Sequence, residues 1–428
     1  MIMQLKPVLG PLQLVSYSVG VIVGAGIYSV IGAAAGLAQQ SLWLSFVIGA
    51  IAALLTGFSY AEMTTSLPHA GAEYLYLKRA FPAAGWAAFG VGFLILMGGA
   101  ATAATVAVAF GGYILAFTQT PIWLSALLLI AACTALNIWG LREAGWANAV
   151  FTAIEISGLV LVVAAGMAAG DLAAPLSFAP SSGVLPAAAL VFFVYLGFEE
   201  IANLAEEACD PARNLPRAIF FSIGITTLLY VLVALAVVSL VDSNELALNT
   251  APLALAIGKA WPGFESVLAG IAIFATANTV LITVIAGSRL AFSMARDGEL
   301  PPAFTTLSPM RRTPWAAALL ICCLSAIMLP IGNVRMLAEL SSFAALLAFF
   351  AVNIALIVMR YRQPDLPRPF RVPLAIGWMP ILPLAAIVSI CVLLANFDWR
   401  VYAFGIGFLL LMWLIVLMRG LRRNAGAQ

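Results

Sequence analysis

The sequence predicts an all-α integral membrane protein with about twelve transmembrane helices. Of its 428 residues, 64% are hydrophobic and only 9% are charged, whereas soluble domains are about half apolar and about a quarter charged. Apolar stretches of about 20 residues, the length that spans a bilayer, recur along the chain with short polar breaks between them. We therefore expect the protein to lie in the lipid bilayer. The chain length then indicates a number of membrane-spanning helices and not a number of soluble domains.

Breaks marked by glycine, proline and charged residues divide the chain into twelve predicted spans within a single transmembrane domain, 1–428. A first set of five fills 11–169, a second set of five fills 185–360, and two extra helices fill 375–420. The individual predictions are 11–37, 41–66, 84–117, 121–140, 146–169, 185–204, 217–241, 264–295, 314–331, 336–360, 375–396 and 402–420.

The distribution of basic residues predicts the orientation in the membrane. Seventeen of the 20 Lys and Arg residues fall on one side of the predicted topology, and only Lys259, Arg335 and Arg400 fall on the other. Because cytoplasmic loops carry the excess of Lys and Arg, we expect a multi-pass protein of the cytoplasmic membrane, namely a prokaryotic inner membrane, with both termini in the cytoplasm. The net charge of +2 and the scattered basic residues argue against a nucleic-acid partner.

Three glycines, Gly20, Gly24 and Gly26, lie close together in the first predicted span. Each costs about 0.5–1 kcal/mol relative to alanine in a helix. One explanation is close helix packing through small residues. The other is an unwound segment at the membrane midplane, which is tolerated where it lines a cavity or binds a ligand. Free N–H groups there suit a carboxylate and free carbonyls suit an ammonium group, so such a segment fits an α-amino acid.

A second irregularity lies in the sixth predicted span, where Gly197 stands between aromatic residues and two carboxylates, Glu199 and Glu200, follow. The first and sixth spans each open a set of five helices. That placement is typical of inverted-repeat transporters, in which the site lies between two discontinuous helices.

Ionisable residues within predicted spans are functional candidates by default. Glu155 lies well inside the fifth span, with Thr152 and Gly158 on the same helical face, and we expect it to face the bundle. It is either a hydrogen-bonded structural acid or a group that couples transport to a cation. Of the adjacent Glu199 and Glu200, we assign Glu199 to the cavity, and we expect Glu62 to pair with Arg or Lys in a gate or loop.

Several separate blocks resemble the amino acid-polyamine-organocation family of permeases along nearly the whole chain. They are Gly24–Tyr28, Tyr60–Glu62, Pro68–Tyr74, Gly197–Glu199, Glu206–Glu207, Asn214–Ile219, Ser288–Leu290, Ala295–Gly298 and Arg368–Pro373.

This resemblance implies a five-plus-five inverted repeat with broken first and sixth helices and alternating access, and it places Gly24 and Gly197, at the breaks, among the substrate-binding residues. We expect no cofactor. It implies a substrate carboxylate on the N–H groups of Ala25, Gly26 and Ile27. The substrate amine would meet carbonyls near Ile22, Phe193 and Leu196, with selectivity from side chains in the helices around the site, namely Phe193, Tyr195, Phe198 and Thr283.

The chain departs from many relatives at Glu155, where they carry a lysine. The reversed charge leaves proton coupling, sodium coupling and uncoupled exchange all open. We expect a permease for neutral amino acids, because the candidate pocket residues are mainly apolar and aromatic. A cationic amino acid or polyamine transporter of the same fold is the alternative, since Glu199 or Glu200 could pair with a second ammonium group.

Two other classes of membrane protein fit the sequence less well. A channel would need a repeated filter of carbonyls or charged rings, and an enzyme would need a nucleophile and base or a metal cluster. The sequence contains neither a repeated filter element nor a Cys-His constellation, and its single histidine, His69, follows Pro68 in a predicted loop. We therefore predict no enzymatic activity and no metal site.

Overall fold

The computed structural model describes residues 9–68, 72–115, 117–140, 145–177, 179–205, 207–308 and 312–425. His69 and Glu206 of the sequence motifs lie outside these ranges. Sixteen α-helices form the described part of the chain. Those of the N-terminal half are α1 Pro11–Val23, α2 Gly26–Ala38, α3 Leu42–Ser66, α4 Ala72–Ala80, α5 Gly85–Ile114, α6 Ile122–Trp139, α7 Gly145–Ala169 and α8 Val184–Val191.

The C-terminal half contains the other eight α-helices and a two-stranded hairpin. The helices are α9 Pro211–Leu240, α10 Ser243–Leu248, α11 Pro252–Ala260, α12 Glu265–Arg296, α13 Trp315–Met328, α14 Val334–Arg362, α15 Ile381–Leu394 and α16 Trp399–Ala425. Short 3-10 helices cover Gln39–Ser41, Ala174–Ser177, Phe192–Tyr195, Phe198–Leu204, Pro302–Thr305 and Leu329–Ile331.

Among the described residues, nine helical stretches are long and apolar enough to cross a membrane, and three more apolar helices are shorter. One of the nine, Gly26–Ser66, contains both α2 and α3. The three shorter helices are Pro11–Val23, Trp315–Ile331 and Ile381–Leu394. The chain is therefore mostly helical and built to pass the bilayer several times.

Both glycine-containing segments interrupt their helices. α1 ends at Val23 and α2 begins at Gly26, so the backbone is not helical at the residues between them. In the second segment α8 tightens into the 3-10 helix Phe192–Tyr195, becomes extended at Leu196, and turns at Gly197, where φ is +119°. Only glycine adopts that φ without steric cost, which explains its presence at the second interruption.

Two predicted helix starts were each wrong by six residues. α9 begins at Pro211, six residues before the predicted start at 217, because Pro211 occupies the first helical turn, where proline is tolerated, and Pro216 is accommodated inside the helix. The predicted span 375–396 begins only at Ile381. Before it, the strands Ala375–Ile376 and Met379–Pro380 pair antiparallel around a turn at Gly377, where φ is +62°.

The long helices pack into one bundle. α5 lies between α12 and α14, while α9 packs against α1, α3 and α7. The short helices α10 and α11 cover one end of α2, and α4 packs on α5 and α14. The two interruptions consequently lie inside the bundle, surrounded by α3, α7, α9 and α14.

Candidate functional site

The two interruptions lie directly against each other. A Cβ atom placed on Gly26 would lie 3.2 Å from the Cα of Val194, and one placed on Gly197 would lie 2.8 Å from Cγ1 of Val21. Each interruption thus presents a glycine to a valine of the other. Close packing through small residues and unwinding of the backbone therefore occur together at these interruptions. The two explanations for the glycines are not exclusive.

The backbone N–H groups of the first interruption differ in whether they have a hydrogen-bond acceptor. Ala25 N–H donates to Thr279 Oγ1 of α12 at 2.9 Å. Within the described part of the chain, no acceptor pairs with the N–H groups of Gly26 and Ile27 in the first turn of α2. Of the three N–H groups predicted to bind a carboxylate, one is engaged by a hydroxyl in this conformation. The other two remain as donors at a helix N-terminus, which favours anions.

One tyrosine hydroxyl joins the carbonyls of both interrupted segments. Tyr230 on α9 places its hydroxyl 2.7 Å from the carbonyl oxygen of Ile22 and 3.3 Å from that of Val194. The Phe193 carbonyl accepts from Leu196 N–H at 3.4 Å. Sequence reasoning missed Tyr230, although it is the one tyrosine in a long aliphatic helix.

Two aromatic residues predicted to select the substrate side chain are firmly packed. The Tyr195 hydroxyl donates to the Phe46 carbonyl at 2.9 Å, and its ring lies edge-on to Tyr230. Phe198 is fully buried against Tyr60 and Phe349. In this conformation both side chains hold the second interruption against its neighbours.

Five uncharged residues at or near the interruptions keep partial exposure: Gly26, Gly99, Leu196, Thr279 and Thr283; Glu199 and Glu200, just after the second interruption, are also partly exposed. A Cβ on Gly99 would lie 3.9 Å from Cγ2 of Thr283, so α5 and α12 approach each other closely at this level. Thr283 in turn donates to the carbonyl of Thr279 at 2.8 Å. We call these five residues the central site; they are small, aliphatic or hydroxylated, and none is charged.

Glu155 lies in the interior, on the face of α7 that the sequence predicted. Its side chain is 1% exposed, and Oε1 accepts from Asn278 Nδ2 at 3.1 Å. The neighbouring positions on this face contact the first interrupted helix: Thr152 lies against Gly20, and Gly158 lies against the Tyr28 hydroxyl. Sequence reasoning did not identify Asn278, because it considered ionisable residues and not amides within spans.

Glu199 caps its own segment, since Oε2 accepts from Gly197 N–H at 2.9 Å. It interacts electrostatically with Glu73 and Tyr60. Glu73 belongs to α4, outside the spans, and its Oε1 accepts from the Tyr60 hydroxyl at 2.8 Å. Burial raises the pKa of Glu73 to about 7, although the hydrogen bond from Tyr60 opposes this shift. The Glu73 carboxyl therefore exchanges its proton near neutral pH.

A buried ion cluster closes the end of α3. Glu62 accepts from Arg360 Nε at 2.9 Å and from Val372 N–H at 2.7 Å, and Arg368 Nε lies 3.2 Å from its Oε1. Both Glu62 and Arg360 are fully buried. The prediction that Glu62 pairs with arginine is thereby confirmed, and the cluster links α3, α14 and the loop that follows α14.

Comparisons with known proteins agree along almost the whole chain. Residues 9–418 match the family model described as amino acid permease. The chain is 29% identical to a branched-chain amino acid permease of Bacillus subtilis (strain 168), over 92% of this chain and 89% of that protein. It is 31% identical to the vacuolar cationic amino acid transporter 4 of Arabidopsis thaliana, over 85% of this chain but only 64% of that protein. A methylthioribose transporter of Bacillus subtilis (strain 168) is 29% identical over 90% of this chain and 86% of that protein.

Proposed function

We propose that this chain, which belongs to the amino acid permease family, carries neutral amino acids across the cytoplasmic membrane by alternating access. The observation that carries this proposal is the central site, which lies beside two interrupted helices and contains no charged side chain. Small, aliphatic and hydroxylated walls suit an uncharged substrate side chain. The similarity to a branched-chain amino acid permease supports the same substrate class.

The backbone of the substrate would be recognised by the two interruptions. The N–H groups of Gly26 and Ile27 would receive the carboxylate, with the N-terminus of α2 favouring its charge. The ammonium group would donate to the carbonyls of Ile22, Phe193 and Leu196. Ile22 can accept from both the substrate and Tyr230 because a carbonyl oxygen has two lone pairs.

We also propose twelve spans arranged as a five-plus-five inverted repeat followed by two further helices. The packing supports this arrangement. When the spans of the first set of five are matched in order with those of the second set, helix pairs that pack together correspond to other helix pairs that also pack together. α5 packs on α6 as α12 packs on α13, and α6 contacts α12 as α13 contacts α5. α1 packs on α9 in the way that α8 packs on α3. With an even number of spans and basic loops inside, both termini lie in the cytoplasm.

Cationic amino acids or polyamines are the second candidate substrates. The acidic pair Glu199 and Glu200 and the similarity to a vacuolar cationic amino acid transporter favour them. Against them, one oxygen of Glu199 is already used to cap Gly197, and a second substrate ammonium group would need a carboxylate inside the central site. We therefore place neutral amino acids first.

Counterflow in proteoliposomes tests the proposal. Vesicles loaded with unlabelled leucine should accumulate labelled leucine, and external isoleucine or valine should compete, whereas arginine, putrescine and methylthioribose should not. Competition by arginine and not by valine would replace the neutral class by the cationic one. Absence of counterflow with every amino acid and amine would overturn the transport assignment to these substrates.

The variant Gly26→Val tests the role of the first interruption. A side chain there meets the Val194 backbone at 3.2 Å and covers the N–H groups of α2, so we expect leucine counterflow to be lost. Gly224→Val on α9 is the matched control, because nothing lies within 4 Å of a Cβ at that position. Thermal unfolding of both variants separates loss of binding from loss of fold. Wild-type leucine affinity in Gly26→Val would mean that the segment serves packing alone.

A further inference from the structure

The contact between Glu155 on α7 and Asn278 on α12 is only half complete. Asn278 Nδ2 donates to Glu155 Oε1 at 3.1 Å. Among the described residues, Asn278 Oδ1 is buried and has no hydrogen-bond donor. The Glu155 side chain is 1% exposed and Asn278 is 9% exposed, so bulk water does not complete the pair.

An ionised Glu155 leaves this pair with two unfavourable features. A buried carboxylate is costly without strong partners, and a buried acceptor without a donor costs about 1–3 kcal/mol. One hydrogen atom on Glu155 Oε2 corrects both, because a neutral carboxylic acid and a primary amide each offer one donor and one acceptor to the other. The acid would then accept from Nδ2 and donate to Oδ1.

We propose that Glu155 and Asn278 form the proton site of this transporter, with one proton bound to Glu155 and shared with Asn278 during the transport of each substrate. This inference rests on the proposed transport function. The step is a simple protonation: Oε2 gains H⁺ from the medium on one side of the membrane, the carboxylate charge disappears, and the same proton leaves on the other side.

A proton fits this site better than a sodium ion. A hard cation stripped of water needs a shell of about six oxygen ligands, whereas this pair offers only two uncommitted oxygens. Two neighbouring hydroxyls are already engaged as donors, since Tyr28 donates to the main-chain carbonyl of Glu155 and Thr276 donates to that of Ala272. Two oxygens are sufficient to share one hydrogen.

Both members of the pair are connected to the first interruption. The main-chain carbonyl of Glu155 accepts from the Tyr28 hydroxyl of α2 at 2.6 Å. Asn278 precedes Thr279, whose Oγ1 accepts from Ala25 N–H at 2.9 Å. Loss of the proton therefore weakens the α7–α12 contact at the level where these helices hold the substrate-binding segment.

The surroundings contain no described cation that would keep Glu155 ionised. Tyr28 and Tyr230 are the ionisable side chains that interact electrostatically with it, and both are neutral at physiological pH. α1 contributes one more ionisable side chain, Tyr17. The charged residues of the other helices packed against α7 are exposed to the surroundings of the bundle; they are Arg213, Arg217, Lys259, Glu265, Arg289 and Arg296.

Gradient-driven uptake in proteoliposomes tests the proton site. In the wild type, an inwardly directed pH gradient should drive labelled leucine above its equilibrium level, and an inwardly directed sodium gradient at equal pH should not. Accumulation driven by sodium and not by the pH gradient would overturn the proposal. Leucine counterflow with no response of uptake to the pH gradient would overturn the proton site alone, whereas absence of all counterflow would overturn the transport function as well.

Two variants assign the effect to this pair. In Glu155→Gln the amide permanently imitates the protonated acid, so uptake driven by the pH gradient should fall to the level without a gradient, and counterflow should become independent of pH. In Asn278→Asp a second carboxyl shares the site, and because two neighbouring carboxylates hold a proton more tightly, the pH profile of counterflow should move about one unit or more toward alkaline pH.

Two other carboxylates provide matched controls. Glu73→Gln removes the carboxyl of α4 that exchanges its proton near neutral pH, and Glu265→Gln removes an exposed carboxylate on the same helix as Asn278. Both should keep uptake driven by the pH gradient. If Glu73→Gln abolishes that uptake and Glu155→Gln retains it, the proton site lies elsewhere and the proposal is wrong.

Discussion

At the scale of single residues, the site depends on polar groups that satisfy interrupted backbone. A helix that unwinds inside a membrane exposes carbonyls and N–H groups, which must find partners. Tyr230, Thr279 and the Glu199 side chain each provide one, at Ile22, Ala25 and Gly197. These contacts hold the unwound segments in place, and they leave the N–H groups of Gly26 and Ile27 for a substrate.

Tyr230→Phe should weaken leucine transport, because the hydroxyl that holds the Ile22 and Val194 carbonyls of the two interruptions in place is lost, while the ring contacts with Phe46 and Tyr195 remain. A hydrogen bond of this kind contributes about 0.5–1.5 kcal/mol, so we expect the KM for leucine to rise by up to about tenfold. Counterflow at several leucine concentrations measures this change.

The control for Tyr230→Phe is Tyr402→Phe, which removes a hydroxyl bound to the Leu394 carbonyl far from both interruptions. That variant should lose some thermal stability and keep the wild-type KM. An unchanged KM in Tyr230→Phe would mean that this hydroxyl only stabilises the fold.

Charged residues and glycines within the predicted spans allowed single residues of the site to be identified from the sequence. Glu155 and Glu62 were identified because carboxylates are costly inside a membrane, and the glycines marked both interruptions. Asn278, Thr279 and Tyr230 gave no comparable signal, since uncharged polar groups are common in spans and their partners lie more than 100 residues away. The roles of the predicted site residues stay predictions.

At the scale of elements, the Glu62 cluster ties the end of α3 to α14 and to the loop after it. One carboxylate receives two guanidinium groups and the N–H of Val372. Removal of one partner from a buried ion pair leaves uncompensated charge, which costs about 3–5 kcal/mol. Glu62→Gln should therefore lower the melting temperature of the purified protein clearly.

An exposed ion pair provides the comparison for Glu62→Gln. Lys259 and Glu245 pair at 3.1 Å on the surface, with about half of each side chain exposed. Such pairs contribute about 0–1 kcal/mol, so Lys259→Ala should change the melting temperature little. Equal melting temperatures for wild type and Glu62→Gln would contradict the stabilising role of the cluster.

Element boundaries were predictable wherever hydrophobicity ended sharply. α5, α6, α7 and α12 each begin and end within three residues of their predicted limits. The hairpin before α15 was missed because its residues continue an apolar stretch, and hydropathy alone does not distinguish a short strand pair from a first helical turn. The short helices α10 and α11 were likewise missed, since they are too short to show periodicity.

At the scale of the whole molecule, the chain is a multi-pass membrane transporter and not an enzyme. Composition predicted the membrane class, and the motifs predicted the family. The proposed inverted repeat was predicted from the positions of the two glycine-containing segments and from the family resemblance. The substrate class depends on side-chain geometry that composition does not contain.

In the mechanism proposed for this permease, backbone groups at two interrupted helices recognise both ends of an amino acid. Equilibrium binding of L-leucine, N-acetyl-leucine and leucinamide to the purified protein tests this recognition. Loss of a charge-assisted hydrogen-bonding group costs about 2–3 kcal/mol, so each blocked analogue should bind about 30- to 100-fold more weakly than leucine. Binding of either analogue as tightly as leucine would contradict the claim.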